Sequence, residues 1–212
     1  MKVIDFRTKK NKQSGGFTLI ELLLVVILTG IIAALAGPYF GRLIAQYNLK
    51  RYKSEVYQAI SQAQAYSSQR RENWQFSLCS SNGILQYAVH LASQVPTTCG
   101  SSNISWTSLP STIALDTTAV DSTAPAANIT MSQPTAGIYQ VCFNDQGLPS
   151  TPSGTPQVCP NPASFSSPQQ LTFVVKPYPT VYRRCIIIKT LLGDLTDGKE
   201  RGTNNSISSN CY

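Results

Sequence analysis

A nearly unbroken apolar run extends from Phe17 to Phe40, and Glu21 is its only charge. About 20 apolar residues make a helix long enough to span a bilayer of roughly 30 Å, so the run predicts a membrane-spanning helix over 17–38. The pattern then changes without a break. Leu49, Tyr52, Val56, Ile60 and Ala63 recur at spacings of three and four, with Gln, Ser, Lys and Arg between them. This is the stripe of an amphipathic helix. No Pro or Gly lies between Arg42 and Glu72, so the helix is expected to continue over 39–72. At 1.5 Å per residue the whole rod would reach about 80 Å, too long to bury itself in one small domain.

From Asn73 onward the period shortens. Short β-prone runs alternate with Ser, Thr, Gly, Pro and Asn, which predicts strands joined by turns. The expected strands are 74–78, 85–89, 113–115, 128–131, 137–143, 171–176 and 184–189. Residues 148–168 hold six prolines and few large apolar residues, and read as a long loop. Asn144-Asp145-Gln146-Gly147 reads as a hairpin turn. The fold class that follows is α+β: a long amino-terminal helix, its first half in the membrane, packed on a small antiparallel β-sheet or sandwich head at 73–212.

Charge adds an orientation. Residues 1–16 contain Lys2, Arg7, Lys9, Lys10 and Lys12 against Asp5. A basic arm ahead of an apolar run stays in the cytoplasm while the rest is exported. Those residues supply most of the formal charge of +7; without them 12 bases and 9 acids remain. The basic balance is therefore no sign of nucleic-acid affinity. A cleaved secretory signal would place small residues after the apolar run, and Ala33-Ala34-Leu35-Ala36 fits that loosely. It leaves two details unexplained: Gly15-Gly16 stands before the run, and Glu21 stands inside it, where a carboxylate is costly.

Gly16-Phe17-Thr18-Leu19-Ile20-Glu21-Leu22-Leu23 resembles the cleavage and methylation motif of type IV pilins and type II secretion pseudopilins. The resemblance implies that 1–16 is a leader cut after Gly16 by a prepilin peptidase, and that Phe17 becomes an N-methylated first residue. It implies that Glu21 meets the terminal amine of a neighbouring subunit. An ammonium and a carboxylate buried together are tolerable where either alone is not. Pro38 stands where many pilins carry a helix-kinking proline. The implied partners are other pilin or pseudopilin subunits, the prepilin peptidase and an inner-membrane assembly platform. The implied location is the bacterial inner membrane, single-pass with the head outside the cytoplasm, and then the fibre.

The head carries a second resemblance. Val141-Cys142-Phe143-Asn144-Asp145-Gln146-Gly147, Leu171-Thr172-Phe173 and Arg184-Cys185-Ile186-Ile187-Ile188-Lys189-Thr190-Leu191-Leu192-Gly193 resemble the GspH/FimT-type pseudopilin domain, which implies a minor subunit. Some relatives of that group resemble DNA-capturing subunits of competence pili with a Gly-Arg-x-Arg motif after the last core strand. Here Gly193-Asp194-Leu195-Thr196 stands in its place. Arg183, Arg184, Lys199 and Arg201 are the remaining candidates for DNA or phosphate contacts, on a segment otherwise read as a solvated charged tail. Minor subunit is the main reading; DNA-binding competence pilin and major structural pilin are the alternatives.

All six cysteines, Cys79, Cys99, Cys142, Cys159, Cys185 and Cys211, lie in the head. Export to an oxidising compartment favours disulfides. Fifteen pairings exist for six cysteines; the sequential one, 79–99, 142–159 and 185–211, is expected. There is no CxxC and a single histidine, His90, so no metal site or cofactor is expected. No carboxylate among Asp116, Asp121, Asp145, Asp194 and Asp197 sits in a catalytic motif, and the chain is read as a non-enzyme. His90 reads as a surface or packed residue, and Trp74, Trp106 and Tyr139 read as core.

Overall fold

The computed structural model describes residues 16–116, 129–153, 159, 165, 168–176, 183–203 and 206–211; for 35–38 and 199–211 it describes the backbone alone. Helix α1 runs Leu19–Arg70. Among the described residues ten strands follow: β1 Trp74–Ser81, β2 Ile84–Leu91, β3 Thr107–Ser108, β4 Ile113–Leu115, β5 Ile138–Phe143, β6 Pro149–Ser150, β7 Gln169–Val175, β8 Arg183–Ile188, β9 Leu195–Thr203 and β10 Ser206–Cys211. They form two antiparallel five-stranded sheets, ordered β3-β2-β1-β5-β6 and β10-β9-β8-β7-β4.

The chain divides into two compact units, 1–43 and 44–212. In the first, the apolar side chains from Phe17 to Ile32 are exposed. Thr29 satisfies its hydroxyl within the helix, donating to the carbonyls of Val25 and Val26 at 2.9 and 3.0 Å. The stretches on either side of 35–38, Leu19–Ala34 and Tyr39–Arg70, are not each long and apolar enough to cross a membrane; taken together they meet the requirement of length and composition alone. Pro38 lies outside the residues whose side chains are described.

The second unit is built on one core. Leu49, Val56, Ile60 and Ala63 of α1 are buried and join a single apolar cluster with Phe76 and Leu78 of β1, Val141 and Phe143 of β5, Leu171, Phe173 and Val175 of β7, and Ile186 and Ile188 of β8. Every second residue along the core stretches of β1, β5, β7 and β8 faces this cluster, as the strand period of two requires. The expected amphipathic stripe is thus the face on which both sheets close, and Tyr52 packs at its margin.

The opposite face of the first sheet is polar yet buried. Register aligns Gln75 with His90 and Cys142, and Ser77 with Ala88 and Gln140. Gln75, Ser77, Cys79, Gln140 and Cys142 have no exposed surface. Cys79 is bonded to Cys99 and Cys142 to Cys159, two of the expected pairs, and both bridges fasten loop residues onto this face. Cys185 is also disulfide-bonded; the side chain of Cys211, its expected partner, lies outside the described residues.

The structure differs from the sequence reading in three places. Residues 195–203, in the segment read as a charged tail, form strand β9, which pairs with β8 and with β10. Of the expected strand 128–131, residue 128 lies outside the described residues, and 129–131 show an isolated bridge, Ile129 to Leu171, in place of a strand. The proline-rich stretch after Leu148 opens with the short strand β6, paired to Cys142 and Phe143.

Two turns are pinned to the helix by one side chain. The Gln64 amide donates to the carbonyls of Gly147 and Leu192, each at 3.1 Å. Gly147 closes the expected Asn144 turn, where the Asn144 side-chain oxygen accepts from the amides of Gln146 and Leu148. Gly193 has φ +79°, and a Cβ there would stand 2.5 Å from the Gln64 amide nitrogen. Gly137 has the same φ with nothing within 4 Å. Gly137→Ala should therefore cost about 1 kcal/mol, the left-handed penalty alone. Gly193→Ala should cost at least ~2 kcal/mol, because it also displaces Gln64. Chemical denaturation of the two variants side by side checks the difference.

Candidate functional site

The amino-terminal site is simple in geometry. Gly16, Phe17 and Thr18 precede the helix and are exposed, Phe17 at 81%. Thr18 is the N-cap: its hydroxyl oxygen accepts from the Glu21 amide at 3.3 Å, and the Leu22 amide bonds to the Thr18 carbonyl at 3.1 Å. Glu21 is the third helical residue, the acidic partner position of a capping box, where a carboxylate also suits the positive end of the helix. The Thr18-x-x-Glu21 spacing was readable in the sequence, and it adds a local role for Glu21 to the one the resemblance implies. A Cβ on Gly16 would meet nothing within 4 Å, and its backbone is not in the left-handed region. The chain's own packing therefore does not demand a glycine there.

Residues 11–37 match the prokaryotic N-terminal methylation motif. No curated protein and no solved structure matches the chain. The matched segment covers Gly16, Phe17 and Glu21 and supports a type IV pilin-like chain with a membrane-anchored precursor. The match ends before the head, so the GspH/FimT likeness of the head has no support beyond its own residues.

The head brings together one pair with the look of a nucleophile and its base. Ser77 Oγ lies 2.8 Å from His90 Nε2. His90 Nδ1 lies 2.8 Å from the Leu91 carbonyl; a carbonyl only accepts, so Nδ1 carries the proton and Nε2 accepts from the Ser77 hydroxyl. The Gln140 amide donates to Ser77 Oγ at 3.3 Å. Ser77 is fully buried and His90 is 3% exposed, so no substrate reaches the hydroxyl. The trio is a satisfied polar network of the covered sheet face.

The phosphate-contact candidates do not form one patch. Arg183 pairs with the buried carboxylate of Asp116 at 3.0 Å. Strand alternation sends Arg183 and Arg184 to opposite faces of β8. The backbone of Lys199 stands opposite Arg184, and the side chains of Lys199 and Arg201 lie outside the described residues. On the helix-facing side, Lys53 is buried and reaches Asp197 of β9 at 2.5 Å. Tyr57 donates to the Leu195 carbonyl at 3.1 Å. The charges of this segment thus include helix-to-sheet fasteners, which a reading of β9 as a tail could not reveal.

Of the aromatic residues, Trp74 is half-buried and packs on Tyr66 with ring centres 4.9 Å apart, and the Arg70 guanidinium lies over both rings. Trp106 donates to the Ser101 carbonyl at 3.2 Å. The Tyr87 hydroxyl donates to Glu55 at 2.8 Å. Burial, then the Glu55 carboxylate, push its pKa up to about 12. No group of three or more His, Cys, Asp or Glu among the described residues could hold a metal.

Burial pushes the His90 pKa below its ordinary 6.5. The folded protein then binds fewer protons than the unfolded chain near that pH. The associated stability is complete above pH 6.5 and is lost as pH falls below it, with a slope of at most about 1.4 kcal/mol per pH unit. Unfolding midpoints measured from pH 7.5 to 5 should fall in the parent protein, and more shallowly in His90→Gln.

Proposed function

We propose that the chain is a minor pilin or pseudopilin: a non-catalytic subunit, processed by a prepilin peptidase, that joins or primes a type IV pilus or a type II secretion pseudopilus. The observation that carries this reading is the methylation motif at 11–37, centred on a Gly16–Phe17 bond that lies exposed ahead of a capped helix. A peptidase needs an unhindered, non-helical peptide at its scissile bond. Gly16 supplies it, and nothing in the chain's packing competes for that glycine.

Cleavage after Gly16 occurs on the cytoplasmic side, and methylation of the new Phe17 amine follows. The apolar face from Leu19 to Ile32, exposed in the single chain, is covered first by lipid and then by the helices of neighbouring subunits. Glu21 meets a neighbour's terminal amine in that dry setting, where the pair offsets the cost of burying either charge. The disulfide-stapled head is exported. Other pilin subunits, the peptidase and the inner-membrane assembly platform are the partners. A DNA-capturing role draws less support, since Arg183 is engaged with Asp116 and Arg184 faces the other way.

Two variants test the reading. Gly16→Leu should leave a membrane-retained precursor, seen by intact mass as retention of the sixteen-residue leader. A product of mature mass from that variant would overturn the leader assignment. Glu21→Ala should be cut normally yet enter fibres poorly, and normal incorporation would sink the amine–carboxylate account.

A further inference from the structure

Among the described residues from Trp74 on, the large apolar side chains left exposed are Leu191 and Leu192, at 48% and 73%. They sit together at the tip of the β8–β9 turn. That turn is held firmly. The amides of Leu192 and Asp194 both bond to the Thr190 hydroxyl, Gly193 bonds to the Thr190 carbonyl, and Lys189 to the Asp194 carbonyl. Gln64 takes the Leu192 carbonyl from the helix side. Two leucines are therefore presented to solvent on a preorganised knob, with the exposed Asp194 carboxylate beside them.

At the other end of the same sheet lies a cavity of about 340 Å³. Register fixes the opposition: Gln169 of β7 pairs with Ile188 next to the knob, while Val174 and Val175 pair at the far end with Arg183 and Ile113. Six residue steps of strand separate the two ends by about 20 Å. The cavity is walled mainly by apolar groups, Leu85, Ala114 and Leu115 among them, with Tyr139 at its side. Among the described residues that line it, Lys176 carries the charge, and its ammonium donates to the Gly83 carbonyl at 2.6 Å.

We propose that the Leu191–Leu192 knob of one copy seats in this cavity of a second copy, with Asp194 against Lys176. The chemistry matches: a two-leucine projection and a recess walled mainly by apolar groups. The charges match: one carboxylate beside the knob and one ammonium on the recess. The placement matters most. A knob and its socket at opposite ends of one sheet make a heterologous contact, which repeats head to tail instead of closing into a two-fold dimer. The contact is small and weak by itself, so it is trapped covalently; it is tested separately from processing and stands or falls without the fibre reading.

The test uses the full-length protein in detergent micelles, carrying Leu192→p-benzoylphenylalanine as a photocrosslinker. Irradiation should give a covalent dimer whose crosslinked peptide contains 83–85, 114–115 or 176. Asp194→Lys or Lys176→Asp alone sets like charges against each other and should lower the dimer yield about fivefold. Mixing the two variants restores opposite charges in both pairings and should recover the yield. This recovery separates the proposed contact from local damage, since neither variant alone changes in the mixture. Absence of a dimer, crosslinks to any other surface, or yields indifferent to the swaps would overturn the proposal. None of these outcomes bears on whether Gly16 is the cleavage position, which is read from the mass of the precursor.

Discussion

The head depends on one packing arrangement: the second half of α1 buries its stripe against two sheets at once. Leu49, Val56, Ile60 and Ala63 occupy the same cluster as Phe76 and Phe143 from one sheet and Phe173 and Ile186 from the other. Among the described residues neither sheet has a helix of its own, and each packs its apolar face on this stripe. The polar contacts of the helix follow the same axis. Lys53, Tyr57 and Gln64 reach β9 and the turns that flank it, and so fix the register of the second sheet on the rod. A turn with Gly193 buried against Gln64 leaves that junction little freedom.

The first sheet solves a different problem. Its far face is made of Gln75, Ser77, Gln140 and His90, residues that ordinarily meet water. Here two disulfides tie loop residues onto it, and Ser77, His90 and Gln140 hydrogen-bond to one another. Covalent closure and buried hydrogen bonds hold this face, where the other face relies on apolar packing.

Much of this was legible in the sequence, for reasons that differ by element. The α1 stripe was legible because burial on one face leaves a three-four period. β1, β2, β4, β5, β7 and β8 were legible because their apolar content exceeds what a loop tolerates; their ends shift by a few residues. β9 and β10 were not. Leu195–Thr203 reads LTDGKERGT, and its Lys, Glu and Arg mark it as solvated until β8 pairs with it. The network of Ser77 and His90 was equally hidden, since the pairing of β1 with β2 and the loops over it are long-range facts. At the amino terminus, Gly16, Phe17 and Glu21 formed a local pattern that a sequence displays in full. The cap made by Thr18 was equally local, but it is overshadowed by the processing motif that contains it.

The cap has a further consequence. Only Phe17 separates the Gly16 carbonyl from Thr18, the residue that starts the helix. Hydrolysis of the Gly16–Phe17 bond would put a new ammonium within one residue of the helix's positive pole, where cations are unwelcome. Glu21, already committed to that pole, would then have two positive neighbours to offset. Trimming of the leader would thereby leave the subunit short of negative charge at its own start. A second carboxylate, brought by another chain, would relieve the deficit. If the chain is cut there, such an imbalance would impose an order of events: the intact helix start has its own acidic cap, and the cut one would favour a carboxylate from another chain.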